Sequence, residues 1–247
     1  MLFIDESIQE ALGYICVGIV FCTELPDAAI TAALLEAKLT PRVDEYKSGI
    51  RMASASELHA LRDRIGEWVL NNCKIAVYVA SREERPNLLS GLVTAAGQLV
   101  EKNNLPVPQR VYVDNGISGQ EQPIDKDSVV LITGCDSKLV MGIQLADYVA
   151  YHCSYLLKCE LEGRSKTVRV DANPHPLSGE QIELDWLLRT EIRRNFFTEH
   201  RDVDSINGDD WFFNVRGFGA FYSERLPDEL VNAAAKTFDQ MYFGCVW

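Results

Sequence analysis

The sequence has no cysteine pair at Cys-x-x-Cys spacing and only four histidines, scattered among 247 residues. That excludes the ligand spacings of zinc fingers and ribbons. The seven cysteines (Cys16, Cys22, Cys73, Cys135, Cys153, Cys159 and Cys245) are an odd number without a framework pattern. They predict reduced thiols, several buried as small hydrophobes, in a cytoplasmic protein. No run of about eighteen apolar residues occurs, so no membrane span is expected. The opening residues lack a basic segment, and Asp5 and Glu6 interrupt the apolar start, so a secretion signal is not expected either. Positive charge is also scarce. Against 36 Asp and Glu stand 24 Lys and Arg, a net charge of −12. This composition does not supply the broad basic stripe that neutralises a phosphate backbone. Local cations remain: Arg42, Lys47 and Arg51 in one group, and Arg189, Arg193 and Arg194 in another. Such groups are commonly solvated faces. Repeats and low-complexity segments are missing too.

What is present begins with Met141–His152, MGIQLADYVAYH. Gln144 and Asp147 interrupt an otherwise apolar run. Three residues apart, they share one face of a helix. A helix that is apolar almost all round is usually buried. A carboxylate there must find a hydrogen-bond donor, a cation or a proton. A structural hydrogen bond to a neighbouring loop would serve; so would a metal ion. Three further acids favour the ion. Asp5 and Glu6 follow the short apolar strand Leu2–Ile4, and Asp114 closes the strand Arg110–Val113. Carboxylates from separate elements, each at an apolar boundary, are what a hard divalent cation such as Mg²⁺ needs.

At this length the chain is one large domain, or one domain with a substantial C-terminal addition. Apolar residues make up 47% and charged residues 24%, an ordinary globular balance. After an opening strand and a second at Tyr14–Cys22, a helix is expected at Pro26–Leu39 and a short strand near Tyr46–Met52. Another helix, capped by Ser54 or Ser56, runs to about Asn72 on the stripe Leu58, Leu61, Ile65, Trp68 and Val69. A buried strand at Lys74–Ala80, a helix at Pro86–Lys102, strands at Arg110–Val113 and Val129–Thr133, and the Gln144/Asp147 helix to about Cys159 follow. This alternation predicts an α/β sheet covered by helices, antiparallel at its start. Glu160–Gly179, broken by Pro174 and Pro176, reads as a linker or extended arm. Beyond it come a helix at Glu180–Phe197, an acidic loop (Asp202, Asp204, Asp209 and Asp210), the aromatic stretch Trp211–Tyr222, and a helix from Pro227 to about Tyr242. Gly217 and Gly219 do not form a phosphate-binding loop, because no strand-to-helix turn follows them in the required order.

Several short motifs in sequence order resemble the domain-of-unknown-function family 3800 (DUF3800). They are Asp5-Glu6-Ser7 after the first strand, Glu45-Tyr46-Lys47-Ser48 after the first helix, Val113-Asp114, and Asp136-Ser137-Lys138 leading into Gly142-Ile143-Gln144-Leu145-Ala146-Asp147. Ile8 stands where the family usually has glycine. The resemblance covers residues 1–159 and leaves 160–247 as a C-terminal α/β extension packed on that domain. It implies a ribonuclease H-like, five-stranded mixed sheet with flanking helices, and acids on a central strand, an adjacent strand and a late helix. It also implies a nuclease activity dependent on Mg²⁺ or Mn²⁺. Asp5 matches the first-strand acid and Asp147 the late-helix acid. Asp114 is the motif match for the middle acid. The strand Lys74–Ala80, followed by Glu83 and Glu84, is the alternative neighbour of the first strand.

On that resemblance, two metals about 3.5–4 Å apart would support phosphodiester hydrolysis without a dedicated protein base. Asp5 would bridge them, with Asp114 and Asp147 holding one each. Glu6, Glu45 or Asp136 could complete the shell, although Glu6 and Asp136 read more readily as solvated strand-end and turn acids. Gln144 would orient a carboxylate or touch substrate, and Lys47 or Lys138 would meet the phosphate. The expected partner is nucleic acid, DNA or RNA, with no membrane, and with a homo-oligomer or protein partner accommodated by the C-terminal third. Two rival readings keep the same residues: a non-catalytic protein-interaction module of ribonuclease H-like fold, and a hydrolase of another phosphate ester such as a nucleotide.

Overall fold

A computed structural model of the chain describes residues 1–49, 56–120, 128–170, 178–200 and 215–239. The expected strand near Tyr46–Met52 falls partly outside these. Its described part, 46–49, has no strand pairing and ends in a turn. Cys245, Arg51, Ser54, Pro174, Pro176 and the acidic loop also lie outside the described residues.

Strand β1 (Leu2–Gln9) turns through Glu10–Leu12 into β2 (Tyr14–Cys22). The reversal needs a left-handed residue, and Gly13 supplies it at φ 72°. Sequence alone ends β1 at the acids. In the structure β1 continues through Asp5 and Glu6 to Gln9, because β2 pairs with it along its whole length, from Leu2↔Phe21 to Gln9↔Tyr14. Helix α1 (Asp27–Glu36) follows, then α2 (Ser56–Asn72) and β3 (Cys73–Ser81). Strand β3 pairs antiparallel with β2. A 3₁₀ segment, Arg82–Asn87, contains Pro86 and delays α3 to Leu88–Lys102. Strands β4 (Gln109–Asp114) and β5 (Val129–Cys135) then run parallel to β1 and to each other.

Helix α4 (Gly142–Glu162) spans 21 residues and stops at Gly163, which is left-handed at φ 61°. The expected linker is partly structured. Short strands β6 (Thr167–Arg169) and β7 (Gln181–Glu183) form a two-stranded ribbon. That ribbon takes the first residues of the expected Glu180–Phe197 helix, so α5 is Leu184–Ile192. A second ribbon joins β8 (Thr198–His200) to β9 (Val215–Gly217). Strand β10 (Ala220–Tyr222) and helix α6 (Asp228–Phe238) complete the described chain.

The central sheet has six strands in the order β10-β3-β2-β1-β4-β5. The sixth comes from the C-terminal third: β10 pairs parallel with β3 and covers an edge that would otherwise expose unpaired backbone groups. Strands β2 and β3 read as nearly continuous apolar runs because both sheet faces are covered. On one face, Leu2, Ile4, Val17 and Ile19 pack with Leu88, Leu92, Ala96 and Leu99 of α3. Each leucine fully buried there contributes about 1.5–3 kcal/mol. On the other face, Phe3, Cys16, Val20 and Val77 pack with α1, α2, α4, α5 and α6. Phe196 and Phe238 belong to this second core, so the chain beyond residue 160 shares it with the sheet. The described cysteines are all free and buried. Among the described residues, no helix is long and apolar enough to cross a membrane.

Candidate metal centre

Strand pairing brings the first two acids together. The parallel register places Ile4 opposite Val113, so the next residues, Asp5 and Asp114, fall level on neighbouring strands. Strand β3 lies beyond β2 and away from β1, which removes Glu83 and Glu84 as the middle acid. Those two glutamates are engaged elsewhere. Glu84 accepts the Ser81 amide at 3.0 Å and Glu83 accepts the Ser81 hydroxyl at 2.7 Å, capping the Arg82–Asn87 turn.

Asp5, Glu6 and Asp114 each present a carboxylate oxygen within 4.8 Å of the others. This buried triad could hold a metal ion. Glu6 is therefore not the solvated strand-end acid that its sequence position also allowed. Its side chain is only 9% exposed, with Oε1 3.8 Å from the Arg85 guanidinium. Its Oε2 is buried and has no hydrogen-bond partner among the described residues. A buried carboxylate oxygen without a donor is costly unless a cation or proton meets it. Backbone amides fix the other two acids: the Glu6 N–H donates to Asp5 Oδ1 at 2.8 Å, and the Gly116 N–H to Asp114 Oδ2 at 2.7 Å. Gly116 leaves room for both carboxylates. A β-carbon there would lie 2.7 Å from Glu6 Oε1 and 3.1 Å from Asp114 Oδ2.

Asp147 lies on α4 and faces Asp5 closely enough for its charge to act on it, but it does not belong to the triad. It accepts the Ser48 N–H at 2.7 Å. Gln144 is one turn earlier. It accepts the Tyr46 N–H through Oε1 at 2.8 Å and donates from Nε2 to the Ser137 carbonyl at 2.9 Å. Both ends of this amide are thus occupied in joining two loops to α4, so Gln144 positions the site rather than touching a ligand. The Ser137 hydroxyl in turn donates to Glu45. Asp136 shapes its own turn: its Oδ1 accepts the Lys138 N–H at 2.9 Å. Lys138 is half-buried in that turn, and no ion pair of its ammonium is found among the described contacts. Of the second basic group, Arg189 ties α5 to α6 by donating to the Thr237 carbonyl at 2.9 Å.

The electrostatics follow from burial and like charge. Burial, then the charges of Asp114, Asp147 and Glu6, push the Asp5 carboxyl up to about 9. Burial and Asp114 raise Glu6, with Arg85 pulling the other way. Burial raises Asp147, opposed by the Ser48 amide and Lys47. Lys47 responds in the reverse sense: burial alone would lower it, but Asp5, Glu45, Asp147 and Asp114 outweigh burial and raise it.

The sequence reading missed Gly116 and Arg85. Arg85 carries no motif, and its approach to Glu6 depends on the turn after β3. Gly116 follows Asp114-Asn115, a loop signal whose consequence for two carboxylates appears only in three dimensions. Comparison of the chain with protein-family models, curated proteins and solved structures returns no match.

Proposed function

We propose that this protein is a divalent-metal-dependent nuclease that hydrolyses phosphodiester bonds, built on a ribonuclease H-like sheet. The observation that carries the reading is the convergence of Asp5, Glu6 and Asp114, in which Glu6 also has a buried oxygen, Oε2, without a hydrogen-bond partner among the described residues. A small hard cation fits this all-oxygen donor set, and Mg²⁺ or Mn²⁺ is the natural choice. Two features of the fold support the choice of class. The order β3-β2-β1-β4-β5 is antiparallel across its first pairs and parallel across its last. Acids stand on the central strand, on its parallel neighbour and on the long helix that follows.

Asp5, Glu6 and Asp114 would hold the ion. When bound, the ion supplies polarisation of a phosphoryl oxygen and activation of water. The surrounding residues do the rest. Burial and the neighbouring acids favour the protonated form of Asp5, and a bound ion would favour its carboxylate. Arg85 and Lys47 bring two cations to the rim of the acid cluster. An anionic backbone can therefore approach an otherwise acidic protein at this point. Gln144 and Ser137 hold the 45–48 segment against α4, so Lys47 keeps a fixed place.

The test combines binding and turnover. Millimolar Mn²⁺ should raise the melting temperature relative to chelator, because an ion that binds only the folded state stabilises it by mass action. Asp5→Ala should abolish that rise. The wild type should then cleave a member of a panel of single- and double-stranded DNA and RNA at low salt, where electrostatic attraction is least screened. A melting temperature indifferent to metal in both proteins would reject the reading and favour a non-catalytic interaction module.

A further inference from the structure

Lys47 stands among the acids but outside the triad, and the backbone amides of the residues on either side of it are both anchored. The Tyr46 N–H is bound to Gln144 and the Ser48 N–H to Asp147, one helical turn apart on α4. Pinned on both sides, the lysine backbone cannot swing away from the site. Its ammonium is 3.6 Å from Glu45 Oε2. The fields of Asp5, Glu45, Asp147 and Asp114 all act on it, and together they strengthen its hold on its proton.

The acids therefore divide into two groups. Asp5, Glu6 and Asp114 each present an oxygen within 4.8 Å of the others, and Glu6 also carries a buried oxygen without a hydrogen-bond partner among the described residues. Asp147 and Glu45 instead engage the 45–48 segment: Asp147 accepts the Ser48 N–H, and Glu45 pairs with the Lys47 ammonium. A second dication beside Asp147 would have to share that space with the field of the Lys47 ammonium, which already acts on Asp147, at a Coulombic cost. We propose that the site takes one divalent cation, on Asp5, Glu6 and Asp114, and that the Lys47 ammonium supplies the second positive charge beside Asp147. This inference rests on the metal-dependent reading above, and it replaces the two-ion arrangement implied by resemblance. Lys47 would then meet a non-bridging phosphate oxygen as a hydrogen-bond donor whose position does not depend on ion concentration.

The experiment counts ions. Chelator-stripped full-length protein is titrated with Mn²⁺ up to millimolar concentration, and the free ion is followed by electron paramagnetic resonance. One ion per chain is expected for the wild type. Lys47→Gln should bind that ion about tenfold more tightly, the effect of removing one nearby positive charge at a water-like dielectric. Lys47→Arg should retain wild-type affinity. Two tightly bound ions per wild-type chain would overturn the inference while leaving a metal centre in place, and so would unchanged or weaker binding by Lys47→Gln. No bound ion in the wild type would overturn the metal-dependent reading itself. The wild-type count stands even if a variant does not fold.

Discussion

Gly18 is the partner of Asp5 across the β1–β2 ladder, and a β-carbon on Gly18 would lie 2.6 Å from the Ala146 carbonyl oxygen and 2.7 Å from the Ala150 amide nitrogen. The missing side chain allows α4 to settle directly on the sheet beside Asp5. Asp147 follows Ala146, so this contact also sets the reach from the helix acid to the strand acids. A single glycine in a central strand thereby couples the packing of the fold to the spacing of the site.

Gly18→Ala should consequently destabilise the protein by about 1–3 kcal/mol, the usual cost of overpacking a tight core. The obstructing atoms are backbone, so no rotamer change relieves them and the helix must lift. Urea denaturation at fixed pH measures the loss. A variant as stable as the wild type would show that α4 does not press on the strand at this point.

Gly116→Ala should act in the opposite proportion. Its added methyl meets the side-chain ends of Glu6 and Asp114 rather than backbone. Stability should change by less than about 1 kcal/mol, whereas Mn²⁺ affinity should fall at least about tenfold, because two ligands are displaced together. Calorimetric titration with Mn²⁺, alongside a thermal melt, separates the two effects.

The contribution of Asp5 to stability without metal should fall as pH rises from about 4 to about 9, against the opposing contribution of His152 below about 6.5. The unfolded chain releases the Asp5 proton near 3.8, whereas the folded protein holds it up to about 9. Across that window the native state holds a proton on Asp5 that the unfolded chain has lost, so this group's contribution to the slope is negative, at most about 1.4 kcal/mol per pH unit. Asp5→Asn should flatten the slope and stabilise the metal-free protein at pH 8. In the wild type, Mn²⁺ affinity should increase over the same range, since binding expels the proton. Denaturant midpoints in chelator at a series of pH values give the first result, and Mn²⁺ titrations at the same values give the second.

Acid should destabilise the protein through His152. This ring lies buried in α4 against Tyr148, its centroid 4.0 Å away, and its Nδ1–H donates to the Tyr148 carbonyl at 2.7 Å. Burial pushes its pKa down to about 4 from 6.5. The unfolded state therefore takes up a proton that the folded state refuses, and stability is lost as pH falls from about 6.5 to about 4. His152→Gln should reduce that loss even if it lowers stability at pH 8. Equal acid sensitivity in the two proteins would exclude His152 as the cause.

The sequence was legible wherever one residue type has one physical consequence. The apolar run Ile75–Ala80 reads as a doubly covered strand and is buried in β3. The stripe Leu61, Ile65 and Val69 faces the core from α2. Gln144 and Asp147 share a face of α4, as a separation of three residues requires. The sequence was less informative where two readings had equal local support. A run of Asp-Glu-Ser-Ile-Gln can end a strand or continue one, and only the presence of β2 alongside extends β1 to Gln9. Gln181–Glu183 could begin a helix, yet it pairs with Thr167–Arg169, a partner distant in sequence.

By itself, then, the sequence determined the alternating elements, the apolar faces and the identity of Asp5, Asp114 and Asp147 as acids set in apolar surroundings. Periodicity and burial follow from local side-chain chemistry, so a linear chain can display them. Tertiary structure alone decided which acids meet. Strand order put Asp114 beside Asp5 and moved Glu83 and Glu84 away. The turn after β4 drew Glu6 into the triad, and the 45–48 segment gave Asp147 to Ser48 and Lys47. Charge clustering depends on distances between residues far apart in the chain, and these are fixed only when the sheet and α4 pack together.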